Sequence, residues 1–395
     1  MLKYAFILFT LVGMMTKTNA NNFTTEQQLI TRYSGEIADF WLQGEFSHFS
    51  GVNDTRINYA LFNHALFTPN TDNDTDTDTD RKCLVISSGR SEGYLKYKEL
   101  SFDLFNLGFN VFLIDHRGQG LSERALENSH KGYVENFQYY VDDLATFIDN
   151  IVSSHCTVDG NTHKPYLLAH SMGGAIAARY LQDYPDNIQA AVLSSPMLGF
   201  NSGGIPDVIA KSLIKSTAQI NQWFDNTPWY FFGQTDYIQK NDAQKNDVHK
   251  DDAQNDFANN PLMHSALRFQ QFSRLYHQNP EIQLGGVTVH WLNESIAALE
   301  TIFTKLNKIT TPTLVIQAGD DKIVNNDAQN DFCQQLHQLH PQSCPDGKPL
   351  VIKGAYHELF FESDIYRQQV LTAVVAWFEE HPSTLRQTQD KRTNS

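Results

Sequence analysis

The chain has 395 residues, of which 41% are hydrophobic, and its 45 acidic and 30 basic side chains give a net charge of -15. This length is ample for one large core with an insertion and is less typical of two equal domains. The acidic balance argues against nucleic-acid binding and against nonspecific attraction to anionic lipid, because both favour surfaces rich in Lys and Arg.

The amino terminus has the pattern of a secretory signal peptide. Lys3 supplies a positive start, residues 4–15 form a short apolar run, and residues 18–20 (TNA) offer small side chains at a cleavage point. A membrane-spanning helix needs about 20 apolar residues, so this run favours a signal over an uncleaved anchor. We expect residues 1–20 to be removed and the mature protein to be periplasmic or secreted, with peripheral inner-membrane association as the alternative.

Two polar stretches interrupt the chain. Residues 70–80 read NTDNDTDTDTD. They lack the turn glycine and the closing glutamate of a calcium loop. Residues 239–260 repeat a short polar pattern, NDAQKND and then DDAQNDF. We expect both stretches to be solvent-exposed loops.

Four cysteines are available for disulfide bonds: Cys83, Cys156, Cys333 and Cys344. In an exported protein an even number permits two disulfides, with three possible connectivities. Cys333 and Cys344 lie close together in the sequence and flank a loop, so we prefer this pair and leave Cys83 with Cys156. Buried free thiols are the alternative. No Cys-x-x-Cys or His-rich spacing is present, so a metal site is not expected.

Elsewhere short apolar strands alternate with helices. In chain order we predict a strand at 83–87, a helix at 96–107, a strand at 110–114, a helix at 133–154, a strand at 165–169 with a helix after it, a strand at 190–194, a strand at 313–317, a helix at 326–339, a strand at 350–353 and a helix at 366–380. Such alternation indicates a mainly parallel sheet with helices on both faces. Ligands of these sheets bind outside the carboxyl ends of the strands.

The alternation stops between residues 199 and 307, where aromatic residues are concentrated, among them Trp223, Phe224, Trp229, Tyr230, Phe231 and Phe232. We interpret 199–307 as a cap inserted over one end of the sheet. The core is then formed by residues 21–198 and 308–382, and a polar tail follows at 383–395. An apolar cap over the site is suited to an acyl chain, although simple packing explains the aromatic residues equally well.

A candidate nucleophile stands at the corner between the strand at 165–169 and the helix after it. A strand–Ser–helix corner projects the hydroxyl above the sheet edge and needs small neighbours, because the backbone turns sharply. The usual pattern is Gly-x-Ser-x-Gly; here Ala169 takes the first position, Ser171 is the serine, and Gly173 and Gly174 follow. A helix start with an incidental serine is the alternative.

The serine needs a base to take its proton and an acid to orient that base. In this architecture the chain order is Ser, then Asp or Glu, then His. Asp320 and Asp321 follow the strand at 313–317, and His357 follows the strand at 350–353. These groups therefore occur in the matching order at strand ends. Other histidines are weaker candidates. We expect His170, beside the serine, to point elsewhere on the corner, and His264, His277 and His290 to have surface or core roles in the cap.

Two backbone N–H groups are expected to stabilise the oxyanion of a tetrahedral intermediate. One belongs to Met172, the residue after the nucleophile, and the other to the loop after the strand at 83–87. In that loop Gly89 permits close backbone approach and Arg90 supplies the N–H. The Arg90 side chain is either solvated or available to a phosphate.

Several stretches resemble the bacterial lysophospholipase family (the L-two type), within the α/β hydrolases that also include monoacylglycerol lipases. They are SEGYLKYKELSFDLFNLGFNVFLIDHRGQGLS (91–122), YVDDLA (140–145), LAHSMGGAI (168–176), GGVTVHWLNESI (285–296), TPTLVIQA (311–318) and PLVIKGAYHELFFE (349–362). The resemblance extends from about residue 36 to residue 381 and implies an α/β-hydrolase fold. It places the family's functional residues as follows: triad Ser171, Asp321 and His357, oxyanion donors Arg90 and Met172.

The resemblance also favours Asp321 over Asp320 and implies no metal or cofactor. It leads us to expect a serine hydrolase that releases fatty acid from lysophospholipids through an acyl-enzyme, with peripheral membrane contact. A monoacylglycerol lipase or a general carboxylesterase would share every residue of the site. A non-catalytic lipid-binding protein would keep the cap without the chemistry. Epoxide hydrolases and dehalogenases are disfavoured, since they need a carboxylate in place of Ser171.

Overall fold

The computed structural model describes residues 23–67, 82–158, 160–201, 207–224, 227–237 and 257–386. The expected signal peptide, the acidic stretch at 70–80 and most of the polar stretch at 239–260 lie outside these ranges.

A mostly parallel sheet of eight strands lies at the centre of the described ranges, in the order β1-β2-β4-β3-β7-β8-β9-β10. The strands are β1 Glu45–Ser50, β2 Arg56–Phe62, β3 Lys82–Ser87, β4 Phe109–Ile114, β7 Tyr166–His170, β8 Ala191–Ser194, β9 Thr313–Ala318 and β10 Leu350–Ile352, while β5 Thr157–Val158 and β6 Asn161–Thr162 form a separate hairpin. β1 pairs antiparallel with β2, and β2 antiparallel with β4. From β4 to β10 every pair is parallel.

Helices cover both faces of this sheet. The main helices are α1 Glu26–Ser34, α2 Glu36–Leu42, α3 His64–Phe67, α4 Lys98–Phe105, α5 Gln138–Phe147, α6 Ser153–His155, α7 Met172–Asp183, α8 Asp207–Phe224, α9 Ala266–Gln278, α10 Val289–Thr304, α11 Asn326–Leu339 and α12 Asp364–Glu380. Within the described ranges, none of the helices combines the length and the hydropathy needed to span a membrane.

The core lies in two layers, one on each face of the sheet. Alternate residues of a strand point to opposite faces. In β3, Val85 packs in the cluster shared with α5 and α7. Leu84 and Ile86 pack in the cluster shared with α4 and α12. Fully burying each of these side chains stabilises the fold by ~1.5–3 kcal/mol. The strands, and therefore the loops that follow them, are held from both sides.

Two antiparallel strands at one edge, β1 and β2, were not predicted. No residue of β1 is buried, so it lacks the continuous apolar run that identified the central strands. The helix predicted at 133–154 begins only at Gln138 and continues through a π turn at Ile148–Val152 to His155.

Both preferred disulfides are formed. Cys83–Cys156 joins the start of β3 to the residue after α6, and Cys333–Cys344 joins α11 to the turn before β10.

Residues 199–307 lie between β8 and β9 in the chain, and we call them the cap segment; the structure describes 199–201, 207–224, 227–237 and 257–307 of it. Its helices in the described ranges are α8, α9 and α10. α10 lies against α7 and α8. α9 is fixed to α4 by Arg268, whose guanidinium bonds the Glu99 carboxylate at 2.8 and 3.0 Å. The cap segment returns to the core at 285–288, where Gly285 N–H donates to His130 O at 2.7 Å.

Candidate active site

Ser171 lies on a tight turn between β7 and α7. Its φ of 50° and ψ of -115° are rare for a residue with a side chain, so the surrounding fold must hold a strained backbone here. Small neighbours make the turn possible. A Cβ on Gly173 would lie 2.3 Å from the Ser87 carbonyl oxygen, which is far inside van der Waals contact. Ser171 is thereby held at the carboxyl end of β7.

The other small residues of the turn have separate reasons. A Cβ on Gly174 would lie 2.7 Å from the Pro196 Cβ, so this position is also restricted to glycine. Ala169 is fully buried in β7, and its methyl group is accommodated there. The alanine that replaces the first glycine of the usual pattern is therefore compatible with the turn.

The structure brings Ser171, His357 and Asp321 together in one hydrogen-bonded row. His357 Nε2 lies 2.9 Å from Ser171 Oγ, and His357 Nδ1 lies 2.7 Å from Asp321 Oδ2. The three residues follow β7, β10 and β9, so the parallel sheet delivers them to the same rim. Asp320 is exposed, and its backbone N–H donates to Ala355 O at 2.9 Å. Asp321 is the carboxylate that contacts the histidine.

Asp321 is held as a carboxylate. Its Oδ1 accepts the backbone N–H of Ile323 at 2.8 Å and of Val324 at 3.1 Å. Burial raises the pKa of Asp321, but the hydrogen bond and charge of His357 and the two N–H donors outweigh burial, so the pKa lies below its ordinary value. An ionised carboxylate accepts the Nδ1 hydrogen of His357. Nε2 is then the unprotonated nitrogen that faces Ser171, as a general base requires.

The two expected oxyanion donors are available. Met172 is the first residue of α7, where an N–H has no partner within the helix. Within the described part of the chain, neither its N–H nor that of Arg90 donates to a protein acceptor. Gly89 lies against the site: a Cβ there would lie 2.8 Å from His170 Nδ1. The loop after β3 can therefore approach Ser171 only with glycine at this position.

The Arg90 side chain is partly exposed and is directed at the cap segment. Its guanidinium donates to the Gly285 carbonyl of the cap segment and to Ser91 Oγ at 3.1 Å. It also lies 5.8 Å from the centroid of the Trp291 ring. Burial lowers the pKa of Arg90. Arg90 therefore connects the oxyanion loop to the cap segment.

Sequence reasoning missed a group of buried polar residues beside the triad. His170, which was expected to point elsewhere on the corner, has its ring centroid 5.0 Å from that of His357. It lies with Glu92, Lys96 and Glu358, all of them buried. The one local signal was the i, i+4 spacing of Glu92 and Lys96, which is common on helices and not diagnostic.

The aromatic residues of the cap segment do not form one buried cluster. Trp223, Phe224, Trp229 and Phe232 are exposed. Phe231 is partly buried and packs against the main core. These residues are therefore divided between surface and core, and their concentration in the sequence does not by itself define an acyl-chain site.

The chain matches a protein-family model. The model is described as "Serine aminopeptidase, S33", and the match covers residues 78–364. The chain is 37% identical over 360 residues to lysophospholipase L2 of Escherichia coli (strain K12), covering 91% of this chain and 95% of that protein. It is 33% identical over 297 residues to a probable lysophospholipase L2 of Haemophilus influenzae, covering 74% of this chain and 82% of that protein.

Solved structures share the fold. A soluble variant of monoglyceride lipase from Saccharomyces cerevisiae superposes with a TM-score of 0.60 at 16% identity, covering 86% of this chain and 95% of that chain. Monoacylglycerol lipase from Paleococcus ferrophilus superposes with a TM-score of 0.55 at 18% identity, covering 82% and 99%. The predicted α/β-hydrolase fold is confirmed. The chain belongs to the serine aminopeptidase S33 family of α/β hydrolases, together with the lysophospholipase L2 proteins.

Proposed function

We propose that this protein is a lysophospholipase, a serine hydrolase that releases the fatty acid of a lysophospholipid. The observation that carries the reaction type is the hydrogen-bonded row Ser171–His357–Asp321 at the rim of the sheet. The substrate class rests on the relatives, because the Escherichia coli protein that is 37% identical over 91% of this chain is named a lysophospholipase.

The first step transfers the acyl group to the enzyme. Ser171 Oγ attacks the ester carbonyl carbon while His357 Nε2 takes the hydroxyl proton. The N–H groups of Arg90 and Met172 stabilise the negative charge on the carbonyl oxygen. The C–O bond to the glycerol then breaks, the leaving oxygen takes the proton from His357, and the acyl group stays on Ser171.

The second step returns the enzyme to its starting state. Water gives a proton to His357 while its oxygen attacks the acyl carbon. The bond to Ser171 Oγ breaks, the serine oxygen takes the proton, and the free fatty acid is released. Asp321 holds the Nδ1 hydrogen and stabilises the imidazolium in both steps. The scheme balances without a metal or a cofactor.

Turnover of defined lipids tests this proposal. Purified protein is incubated with palmitoyl-lysophosphatidylethanolamine, monopalmitoylglycerol or p-nitrophenyl butyrate, and the products are identified by mass spectrometry. We expect palmitate and glycerophosphoethanolamine from the first lipid, at a kcat/KM at least tenfold above that for the monoglyceride. Ser171→Ala should remain folded and release no palmitate. A preference for the monoglyceride would identify a monoacylglycerol lipase instead.

We further propose that α8 makes peripheral contact with a lipid surface. Ile209, Leu213, Ile220 and Phe224 recur at spacings of three to four residues or their multiples, and all four are exposed. They therefore share one face of the helix, and Trp223 extends this face at its carboxyl end. Several large apolar side chains exposed on one helix face suit a membrane interface. The acidic net charge of -15 favours zwitterionic over anionic lipid.

Vesicle sedimentation with a matched control tests this contact. Trp223 and Phe224 are 72% and 78% exposed, and Leu42 and Ile365, far along the chain, are 81% and 69% exposed. The double change Trp223→Ser/Phe224→Ser should lower binding to phosphatidylethanolamine–phosphatidylcholine vesicles at least tenfold. The reason is that burying each large apolar side chain in the lipid stabilises the bound state by ~1.5–3 kcal/mol. Equal binding by this variant and by Leu42→Ser/Ile365→Ser would exclude α8 as the contact.

We also propose that the protein is exported and that its chain is divided into a hydrolase core and a cap. We place the mature protein in the periplasm or outside the cell, with residues 199–307 as a cap on the hydrolase core. Two disulfides and the signal-like residues 1–20 support the compartment. Amino-terminal sequencing of protein from the periplasmic fraction should begin near Asn21; a chain that still begins at Met1 would contradict cleavage.

A further inference from the structure

Four charged or titratable side chains are buried together behind the turn that carries Ser171: Glu92, Lys96, His170 and Glu358. The Lys96 ammonium donates to Glu92 Oε1 and to Glu358 Oε2, each at 2.6 Å. His170 Nδ1 lies 3.3 Å from Glu92 Oε2. Buried ion pairs seldom stabilise a fold more than well-packed apolar side chains of similar volume would. A cluster of this kind beside the active-site turn therefore calls for a role other than stability.

Both ring nitrogens of His170 face acceptors, and this geometry favours a proton on each of them. Its Nε2 lies 3.3 Å from the His357 carbonyl oxygen, and a carbonyl can only accept. Its Nδ1 faces Glu92. Burial raises the pKa of Glu92, but Lys96 and His170 outweigh burial and hold the pKa well below its usual range, so this carboxylate also only accepts. Burial raises the pKa of Glu358, so Glu92 is the carboxylate that Lys96 and His170 hold ionised.

A bound metal ion is not needed to explain the cluster. The ligand atoms of Glu92, His170 and Glu358 lie within 4.8 Å of one another, which is close enough for a metal. However, the Lys96 ammonium already bonds both carboxylates, and both nitrogens of His170 are directed at acceptors. Lys96 therefore fills the cationic position.

Gln119 holds the peptide that carries the Arg90 N–H, and Glu92 holds the peptide before it, so Gly89 is fixed on both sides. Glu92 Oε2 accepts the Gly89 N–H at 2.6 Å, and Gln119 Nε2 donates to the Gly89 carbonyl at 2.7 Å. The peptide bond between Gly89 and Arg90 is trans, so its carbonyl and its N–H point in opposite directions. Fixing the carbonyl on one side therefore fixes the direction of the N–H on the other.

We propose that Glu92 and Gln119 are positioning residues that direct the Arg90 N–H at the oxyanion, and that Lys96 and protonated His170 keep Glu92 charged for this task. The inference rests on the proposed function, because it requires an acyl-transfer oxyanion at Ser171. It gives a role to Gln119, which lies in the loop DHRGQG (115–120) after β4.

The test compares two variants of the positioning residues with a matched control. Glu92→Gln keeps an acceptor for Gly89 but turns an amide toward Lys96, and Gln119→Leu removes the donor to the Gly89 carbonyl. The control is Glu99→Gln, which removes the same charge from another buried carboxylate, one bonded to Arg268 at 2.8 Å. The assay follows hydrolysis of p-nitrophenyl butyrate. This reaction requires the oxyanion donors but does not depend on whether the enzyme prefers lysophospholipids.

In Glu92→Gln and Gln119→Leu we expect kcat to fall roughly 10- to 100-fold with KM within threefold, somewhat less than the ~10²–10³ lost when a donor is removed outright. Glu99→Gln should lower thermal stability and leave kcat per folded molecule unchanged. The Ki of an alkyl trifluoromethyl ketone, which forms an alkoxide adduct on the serine, should rise by the same factor as kcat/KM falls. A purely structural role would not produce this match.

Two results would overturn the inference. In one, both positioning variants keep kcat within threefold of the wild type and lose only stability. In the other, kcat falls while the Ki of the ketone does not change. Gln119→Leu changes no charge, so it decides the question if Glu92→Gln does not fold. Wild-type protein that cleaves p-nitrophenyl butyrate but not lysophospholipid would refute the proposed substrate and leave this test intact.

Discussion

Replacing Asp321 with asparagine should remove nearly all turnover, because it reverses the tautomer of His357. The Oδ1 position is held by the backbone N–H groups of Ile323 at 2.8 Å and Val324 at 3.1 Å. These two donors will select the amide oxygen of an asparagine. The amide NH2 then takes the Oδ2 position, where it faces His357 Nδ1 at 2.7 Å.

An NH2 group can only donate, so Nδ1 must become the acceptor and the ring hydrogen moves to Nε2. The Nε2 hydrogen then points at Ser171 Oγ, 2.9 Å away, and the imidazole cannot take the serine proton. Loss of the correct tautomer lowers kcat by about 10⁴ in serine-hydrolase triads, which corresponds to about 5.4 kcal/mol of barrier at ~1.36 kcal/mol for each tenfold change. KM should change little, because Asp321 does not contact the substrate.

The assay is steady-state release of p-nitrophenol from p-nitrophenyl butyrate, with folding checked by circular dichroism. Asp320→Asn is the control, because this neighbour is exposed and makes no contact with His357. Asp320→Asn should keep kcat within about twofold of wild type. The tautomer argument is refuted if Asp321→Asn retains more than a tenth of wild-type kcat, or if the two variants are equally impaired.

Two further outcomes concern stability. Removing the Cys83–Cys156 disulfide, with a sequence separation of 73, should cost about 4 kcal/mol in urea unfolding, against about 3 kcal/mol for Cys333–Cys344, with a separation of 11; the reverse ranking would contradict the loop-entropy reasoning. Burial lowers the pKa of His116 to about 3. Between about pH 6.5 and 3 the unfolded chain therefore binds a proton that the folded chain does not. The free energy of unfolding should fall by roughly 1.4 kcal/mol for each unit that the pH drops in this range. His116→Gln should flatten this slope, and an unchanged slope between pH 6.5 and 5 would exclude His116 as its source.

The meeting of Ser171, Asp321 and His357 could be predicted from the sequence because each of these residues follows an apolar strand. Ser171, Asp321 and His357 come after β7, β9 and β10, and parallel strands bring their carboxyl ends to one rim. The spacing of residues could not decide between Asp320 and Asp321, and the choice of Asp321 came from the family resemblance. The structure supplies the physical reason: the chain turns at 321–324 so that its own N–H groups hold the Asp321 carboxylate.

The cluster of Glu92, Lys96, His170 and Glu358 could not be predicted from the sequence. Its members come from three distant segments, and a local pattern cannot show that they meet. His170 was expected to point elsewhere, yet β7 alternates between the two faces of the sheet. Ala169 points into one core layer, and His170 points to the opposite side, where it reaches the His357 loop.

The solvent exposure of individual side chains also could not be predicted from the sequence. The composition of the cap segment shows that aromatic residues are numerous but not which way they face, and Trp223 and Phe224 prove to be exposed. The edge strand β1 was missed for a related reason, because a strand without buried residues has no continuous apolar run. Burial depends on which elements pack together, and this is settled by the tertiary fold.

Labelling with a fluorophosphonate, followed by peptide mass spectrometry, tests most directly whether Ser171 is the activated nucleophile. We expect one phosphonyl group per folded molecule, attached to Ser171, and labelling slowed at least a hundredfold in His357→Ala. Attachment at a different residue, no labelling of folded protein, or an unchanged rate in His357→Ala would contradict the mechanism.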